Sequence, residues 1–297
     1  MTKLAYFPGC SLLSTGKEYD ASVRGIASDV GLELTELPDW NCCGASSAIT
    51  VDHDLGMALC ARDLSQAETL GLDLLVPCAA CYNRLKTAQA ELKASGPARA
   101  RVAETVGAPV RASGRVFNIL EALLELVGLD GLKQRVARPL SSLRPAAYYG
   151  CLLLRPPDVC QFDDPEAPTS MDRVLEALGA APVTWYLKTE CCGAALATAR
   201  PELVKHLCAR IADRARRAGA NCLVTACPLC HMNLDSRQPK DREPLPAFYL
   251  TQLIGLALGK PGRELLVQRH LIDARPLLRA VEAAAEAIGQ ESAPSPA

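Results

Sequence analysis

Asn41-Cys42-Cys43-Gly44 and its repeat, Glu190-Cys191-Cys192-Gly193, are the stretches that decide the fold of this 297-residue chain. Adjacent cysteines are poor partners for a disulfide, because neighbouring residues cannot easily adopt the geometry of that bond. The glycine after each pair permits a tight turn that residues with a β-carbon resist. Two thiols leaving such a turn can point toward one metal centre, so we interpret both stretches as ligand turns.

Three further cysteines surround each pair at similar distances along the chain. In the first half, 31 residues separate Cys10 from the pair, and 34 separate the pair from Cys78-Ala79-Ala80-Cys81. In the second half, 39 residues separate Cys151 from the pair, and again 34 precede Cys227-Pro228-Leu229-Cys230. This agreement indicates an internal duplication of about 140 residues per copy, which is longer than the repeats of solenoid proteins.

The segments between the cysteines alternate between strand and helix patterns in both halves. Short apolar runs such as residues 3–7 and 72–77 predict buried parallel strands, and residues 55–70 predict a helix. We therefore predict an α/β fold with two lobes related by a pseudo-twofold axis. Each lobe is expected to be a small parallel sheet flanked by helices, with its cysteine-rich loops at the carboxyl ends of the strands.

The duplication also predicts the domain boundaries. The N-terminal cysteine-rich domain is expected at residues 1–140, the C-terminal one at residues 141–285, and a disordered tail at residues 286–297. Residues 95–115 are rich in Gly, Pro, Ala and Arg and are interpreted as a loop. A strand is predicted over residues 183–187, just before the second cysteine pair.

Composition excludes several classes of function. The net charge of −1 gives no general attraction to nucleic acid or to anionic membranes. No segment reaches the ~18 uninterrupted apolar residues of a membrane span, and the first residues do not form a signal peptide. The chain is therefore expected to be cytoplasmic, where 14 cysteines indicate metal or redox chemistry rather than a disulfide scaffold.

The number of cysteines in each half favours iron–sulfur chemistry. Structural zinc takes four ligands, often from two C-x-x-C pairs or with added histidines, whereas each half here has five motif cysteines and one C-x-x-C. Cubane clusters likewise use four cysteines. The fifth cysteine thus indicates a larger or unusual iron–sulfur unit, with zinc in one lobe as the main alternative.

The cysteines outside the motif have a simpler interpretation. Cys60 and Cys208 lie in the middle of predicted helices and Cys222 in a predicted strand, where free cysteine commonly acts as a small buried hydrophobe. Cys160 lies in a predicted loop and is expected to be a structural thiol. His231 is interpreted as an ordinary residue of the helix that follows the second C-x-x-C, with donation to a cluster sulfur or to substrate as the alternative.

With both motifs identified, the chain resembles the cysteine-rich (CCG) domain pair found in the B subunit of heterodisulfide reductase and in its bacterial relatives. Phe7-Pro8-Gly9-Cys10 and residues 78–85 and 248–253 fit that protein, and the similarity covers residues 1–270. The resemblance implies two noncubane [4Fe-4S] clusters and no catalytic residue beyond their ligands. The implied ligands are Cys10, Cys42, Cys43, Cys78 and Cys81 in the first lobe and Cys151, Cys191, Cys192, Cys227 and Cys230 in the second.

The resemblance also implies an activity and partners. In that family the two clusters face a cavity where the disulfide of coenzyme M and coenzyme B is split, and electrons pass from a flavoprotein subunit to a small ferredoxin-like subunit that delivers them. Two one-electron clusters beside a cavity suit a two-electron reaction at a sulfur–sulfur bond. An oxidoreductase acting on sulfur groups is therefore expected. The Ala-, Leu- and Arg-rich composition favours the bacterial sulfur-oxidising version, which acts on lipoate-bound sulfur.

Two other hypotheses remain. CCG pairs also occur in lactate-utilisation proteins and in unusual succinate dehydrogenases, where they serve as electron relays, quinone contacts or membrane attachment. The chain would then be the electron-transfer subunit of such a complex. The third hypothesis is a zinc-stabilised scaffold without catalytic activity, which the fifth cysteine in each lobe disfavours.

Overall fold

A computed structural model describes residues 1–45 and 47–291. Its strands are β1 (Thr2–Tyr6), β2 (Leu32–Glu36), β3 (Leu74–Leu75), β4 (Val116–Phe117), β5 (Pro145–Tyr148), β6 (Cys222–Thr225) and β7 (Ala247–Tyr249). Its α-helices are α1 (Gly9–Leu13), α2 (Lys17–Ala27), α3 (Ala48–Val51), α4 (His53–Leu70), α5 (Ala79–Ala94), α6 (Gly96–Val106), α7 (Ile119–Ala122), α8 (Leu129–Lys133), α9 (Pro157–Cys160), α10 (Ser170–Ala177), α11 (Pro201–Arg217), α12 (Pro228–Ser236), α13 (Leu250–Ala257) and α14 (Arg275–Glu291). A π-helical turn spans Leu123–Val127, and 3₁₀ turns span Ala194–Leu196 and Val267–Arg269.

The strands form two separate parallel sheets, one in each half of the chain. The first sheet has the order β2-β1-β3-β4 and the second has the order β5-β6-β7. In the first sheet Ala5 is in register with both Thr35 and Leu74, so β1 lies between two neighbours. Helices pack around both sheets, as parallel strands that are buried on both faces require. The predicted α/β fold with two small parallel sheets is confirmed.

The strand predicted over residues 183–187 is wrong, since none forms there within the described part of the chain. The segment does run beside β5, and the amide of Val183 donates to the carbonyl of Pro145 at 2.9 Å. The indole N–H of Trp185, however, donates to the carbonyl of Ala147 at 3.0 Å. A side chain therefore occupies the acceptor that the next bond of a parallel ladder would use, and the pairing stops.

The interpretation of residues 95–115 as a loop is also wrong, because they contain α6. Ser95 is the N-cap of this helix, and its hydroxyl accepts a hydrogen bond from the amide of Ala98 at 3.2 Å. Gly107 ends the helix in the left-handed conformation, with φ of 70°. These are the residue types that begin and end helices, and their effect exceeds that of the loop-like composition.

The last helix extends into the segment that the sequence predicts as a tail. Helix α14 ends at Glu291, so residues 286–291 of the expected tail are helical, and residues 292–297 lie outside the described residues. The helix is held by Leu277, Leu278 and Val281, which pack against the core. Among the described residues, no helix is long and apolar enough to cross a membrane.

Buried polar contacts join the two lobes. The hydroxyls of Ser22 in α2 and Thr251 in α13 lie 2.6 Å apart and share a buried hydrogen bond. The side-chain amide of Asn83 in α5 donates to the carbonyls of Leu152 and Arg155 at 3.1 and 2.6 Å. Because a buried donor without a partner costs free energy, these bonds favour one arrangement of the lobes.

Candidate metal centres at the strand ends

The motif cysteines lie in loops at the carboxyl ends of parallel strands, except for the Cys191–Cys192 pair, which follows a segment that runs beside β5 without forming a strand. In the first lobe Cys10 follows β1, the Cys42–Cys43 pair follows β2, and Cys78 follows β3 as the N-cap of α5. In the second lobe Cys227 follows β6 and is the N-cap of α12. Parallel strands end at one edge of a sheet, so loops that are distant in sequence converge there.

In the first lobe the five thiols form contacting pairs. The sulfurs of Cys10 and Cys42 lie 3.6 Å apart, and those of Cys43 and Cys81 lie 3.3 Å apart. Cys78 is hydrogen-bonded to Cys81 within the C-x-x-C loop. The structure therefore brings together all five cysteines that the sequence motif selected in this lobe.

The second lobe repeats the arrangement. The sulfurs of Cys192 and Cys230 lie 3.5 Å apart, and Cys151 is hydrogen-bonded to Cys191. Cys227 is hydrogen-bonded to Cys230. The thiols form linked pairs: among the described residues, no three Cys, His, Asp or Glu side chains are grouped as ligands of a single metal ion.

Burial divides each set into two parts. We call the buried members the inner thiols: Cys43, Cys78 and Cys81 in the first lobe, and Cys192, Cys227 and Cys230 in the second. We call the others the outer thiols. Of these, Cys10, Cys42 and Cys191 are exposed and Cys151 is half-buried. Each site thus has three thiols that are shielded from solvent and one side that is open to it.

A glycine before the first cysteine of each set makes room for an inner thiol. A β-carbon on Gly9 would lie 3.2 Å from the sulfur of Cys81, and one on Gly150 would lie 3.2 Å from the sulfur of Cys230. Both glycines also have φ near +70°, which other residues rarely adopt. The backbone therefore passes against the thiols at equivalent places in the two lobes.

Hydrogen bonds between the thiols favour ionisation of some of them. The thiols of Cys42 and Cys81 lower the pKa of Cys43. The thiol of Cys151 lowers the pKa of Cys191 to about 6. Because the thiolate is the form that binds metals, each site contains a group prepared to act as a ligand.

The two sets meet at the junction of the lobes. Cys78 of the first lobe is hydrogen-bonded to Cys227 of the second. Just beside this contact, the buried hydroxyl of Tyr19 lies 3.1 Å from the carbonyl of Pro77 and 3.2 Å from that of Ala226. These two carbonyls precede the two C-x-x-C loops, so one hydroxyl holds both loops.

The ring of Tyr19 begins a buried stack that includes His231. Tyr19 stacks on Tyr249 with 4.2 Å between ring centroids, and Tyr249 stacks on His231 at 4.1 Å. The Nε2 atom of His231 is hydrogen-bonded to the carbonyl of Ala247 at 2.9 Å, and burial lowers the pKa of this histidine to about 3. His231 is therefore a neutral residue of the interior, bonded to backbone instead of to a thiol.

The cysteines outside the motif do not join either set. Cys60 and Cys208 are buried, and their thiols donate to the backbone carbonyls of Cys43 and Cys192 at 3.5 and 3.8 Å. These two thiols therefore contact the backbone of the ligand turns. Cys160 is buried between the lobes, where burial raises its pKa to about 11.

Sequence reasoning missed two polar residues of the first site. Tyr19 lies on the buried face of α2, and its pattern is that of an ordinary core residue. Asp63 lies on the buried face of α4, one turn after Cys60, and accepts a hydrogen bond from the amide of Asn41 at 3.0 Å. Burial raises the pKa of Asp63 to about 7. A carboxylate on an apolar helix face was the signal that could have indicated it.

The donor set fits iron–sulfur chemistry. Soft thiolate sulfurs are the ligands that such clusters use. The inner thiols exclude water from the floor of each site, and the outer thiols leave one side accessible.

Comparisons with known proteins agree with the duplication. The cysteine-rich domain family CCG matches residues 4–86 and again residues 146–235. The 8-methylmenaquinol:fumarate reductase membrane anchor subunit of Wolinella succinogenes is 35% identical over 282 residues, covering 93% of this chain and 99% of that one. The B subunit of the ferredoxin/F(420)H(2)-dependent CoB-CoM heterodisulfide reductase of Methanosarcina acetivorans is 31% identical over 288 residues, covering 92% and 94%.

A solved structure shares the fold. The crystal structure of a hypothetical protein from Helicobacter pylori superposes with a TM-score of 0.74 at 13% sequence identity. The match covers 92% of this chain but 52% of the other, so this chain spans about half of that longer protein.

Proposed function

This chain belongs to the family of duplicated CCG cysteine-rich domain proteins that includes the B subunit of heterodisulfide reductase, and on that premise we propose that each lobe binds one iron–sulfur cluster through five cysteines. The observation that carries the proposal is the pair of thiol sets, each with three inner and two outer members. The proposed ligands are Cys10, Cys42, Cys43, Cys78 and Cys81, and Cys151, Cys191, Cys192, Cys227 and Cys230. As the resemblance implies, both are noncubane [4Fe-4S] clusters, which supply one-electron transfer when bound.

The surrounding chain would organise this chemistry in two ways. The inner thiols exclude water from the floor of each site, while the outer thiols leave an edge that a substrate can reach. The contact between Cys78 and Cys227 places the two sets side by side. Two adjacent one-electron sites can together serve a single two-electron reaction.

We propose that this reaction is the cleavage or formation of a sulfur–sulfur bond. In the reducing direction, a disulfide R–S–S–R′ takes up two electrons and two protons and yields the thiols RSH and R′SH. The relatives named as B subunits of heterodisulfide reductase support this activity. The chain would then work in the cytoplasm with a ferredoxin-like subunit, itself supplied by a flavoprotein subunit, on a disulfide or a lipoate-bound sulfur.

The second candidate is an electron-transfer subunit of a quinol:fumarate reductase type of complex. The specific observation in its favour is the relative from Wolinella succinogenes, which is 35% identical over nearly its whole length. In this case the two clusters would pass electrons between partner proteins, and no sulfur substrate would be needed.

The first experiment measures iron, acid-labile sulfide and zinc in anoxically purified protein, followed by EPR spectroscopy after mild oxidation. About eight irons and eight sulfides per chain are expected for two [4Fe-4S] centres. Cys42→Ser and Cys191→Ser should each lower the iron content, whereas Cys160→Ser, the control, should not. One zinc with half of that iron would contradict the paired clusters, and zinc alone would favour the scaffold hypothesis.

The second experiment separates the two redox candidates. Loaded protein is mixed with reduced viologen and a panel of disulfides, and separately with a menaquinol analogue. Disulfide-dependent oxidation of viologen supports the sulfur–sulfur reaction. Electron exchange with the quinol analogue and none with any disulfide would favour the second candidate.

A further inference from the structure

The two thiol sets share a fold but have different charges beside them. Arg84 lies in α5, three residues after Cys81, and Asn233 lies in α12, three residues after Cys230. Residues three apart on a helix share a face, so the two positions are equivalent in the duplicated fold. A cation in the first lobe therefore takes the place of a neutral amide in the second.

In the second lobe the amide serves the inner thiol directly. The Nδ2 atom of Asn233 donates to the carbonyl of Cys192 at 3.1 Å and lies 3.6 Å from its sulfur. Arg237 lies behind this amide, and its Nε atom donates to the Oδ1 atom of Asn233 at 3.1 Å. Asn233 thus separates the positive charge from the thiol.

In the first lobe the residue at this position is itself the cation. Arg84 is half-buried, and within the described part of the chain it makes no ion pair or hydrogen bond. Because Asn233 reaches the sulfur of Cys192 from the equivalent helix position, Arg84 is placed to reach the thiols of the first lobe. A half-buried cation is unfavourable without a negative partner. The thiol set is the anionic partner that its position offers.

The remaining charges near the two sites do not reverse this difference. In the first lobe Asp63 is buried, and burial raises its pKa to about 7, so its charge is partly neutralised at neutral pH. Its equivalent in the second lobe is the apolar Ile211. There, Glu190 lies beside Cys191, but it is paired with Arg210 at 2.9 Å.

We infer that Arg84 makes the cluster of the first lobe the more easily reduced of the two, so that the first electron taken up is held in that lobe. The inference rests on the proposed function. Each electron added to a cluster adds one negative charge, and a nearby cation without a negative partner stabilises that charge. Arg84 supplies this cation in the first lobe, and the neutral amide of Asn233 takes the equivalent position beside Cys192 in the second.

The test is a redox titration of the iron-loaded protein, followed by EPR spectroscopy. The wild type should show two distinct midpoint potentials. Arg84→Gln should lower the higher potential and leave the lower one in place. The expected change is about tenfold in the ratio of reduced to oxidised cluster, or 59 mV for a one-electron couple. Arg84→Lys keeps the charge and should retain most of the separation.

The matched control is Lys93→Gln, which removes one exposed charge from the same helix, far from the thiols. It should move neither potential. Three results would overturn the inference: equal midpoint potentials in the wild type, the same two potentials in Arg84→Gln as in the wild type, or a shift of the potential in Lys93→Gln as large as that in Arg84→Gln. Iron is measured first. A chain that binds no iron overturns the proposed function as well, whereas two clusters whose potentials do not depend on Arg84 overturn this inference alone.

Discussion

Replacing Tyr19 by phenylalanine tests whether one hydroxyl holds both C-x-x-C loops. The substitution keeps the ring that stacks on Tyr249, so no cavity forms, but it removes the hydrogen-bond donor from the carbonyls of Pro77 and Ala226. A buried acceptor without a donor costs ~1–3 kcal/mol. Because both bonds are long, at 3.1 and 3.2 Å, we take the lower end for each carbonyl. Tyr19→Phe should therefore destabilise the protein by about 2 kcal/mol.

The assay combines two measurements on iron-loaded protein. The melting temperature should fall by about 3 °C, because the entropy of unfolding of a 297-residue chain is about 0.6 kcal/mol/K. Iron release to a chelator should accelerate for all of the iron, since the hydroxyl contacts a loop of each lobe. The control is Tyr6→Phe, which removes a hydroxyl bonded to Asp20 at 2.7 Å and to neither C-x-x-C loop.

Two results would refute the reasoning. One is a Tyr19→Phe protein within about 0.5 kcal/mol of the wild type, the usual range of surface substitutions. The other is faster release of only half of the iron, because a residue that holds both loops cannot loosen a single lobe.

Three further predictions concern stability and loading. Burial raises the pKa of Asp63 to about 7 in the folded chain, against about 3.9 in the unfolded chain. The folded chain therefore binds this proton more tightly, and the free energy of unfolding falls as pH rises between these two values. Asp63→Asn should remove this pH dependence and raise the free energy of unfolding above pH 7 by up to about 4 kcal/mol, as measured by urea unfolding. Gly9→Ala should lower the iron content, because its β-carbon would lie against an inner thiol. The control Gly71→Ala has similar backbone strain, but its β-carbon would have no atom within 4 Å, so this variant should bind as much iron as the wild type. Thr251→Val breaks the bond to Ser22 and should cost about 1–2 kcal/mol by chemical denaturation, while Thr251→Ser should not.

Each of these has a result that contradicts it. The same pH slope in Asp63→Asn as in the wild type would mean that another group titrates in this range. Equal iron in the two glycine variants would remove the steric argument, and equal stability of the two threonine variants would show that the bond between the lobes is not stabilising.

Much of the fold was predictable because the chain repeats its own pattern. The alternation of strands and helices and the spacing of the cysteines both recur, so each half supports the interpretation of the other. The prediction failed where one side chain decided the local structure. Trp185 donates to a backbone acceptor beside β5 and prevents a strand that its apolar neighbours favoured. Ser95 and Gly107 begin and end a helix within a segment whose composition indicated a loop.

The convergence of the motif thiols was predictable from the sequence, whereas the residues around them were not. Strand ends bring loops together wherever the strands are parallel, so sequence spacing was sufficient to select the cysteines that converge. The roles of Tyr19 and Arg84 depend on which helix face meets the thiols and the opposite lobe. That depends on packing between segments more than 200 residues apart, as in the contact between Tyr19 and Ala226.

The position of Tyr19 limits how far the two lobes can be alike. Its hydroxyl lies between two carbonyls at equivalent places in the duplicated fold, close to the contact between the two thiol sets. A second tyrosine directed from the other lobe would compete for the same two carbonyls. The junction is therefore served by a side chain from one lobe only, and the twofold relation between the lobes does not extend to the residues at its centre.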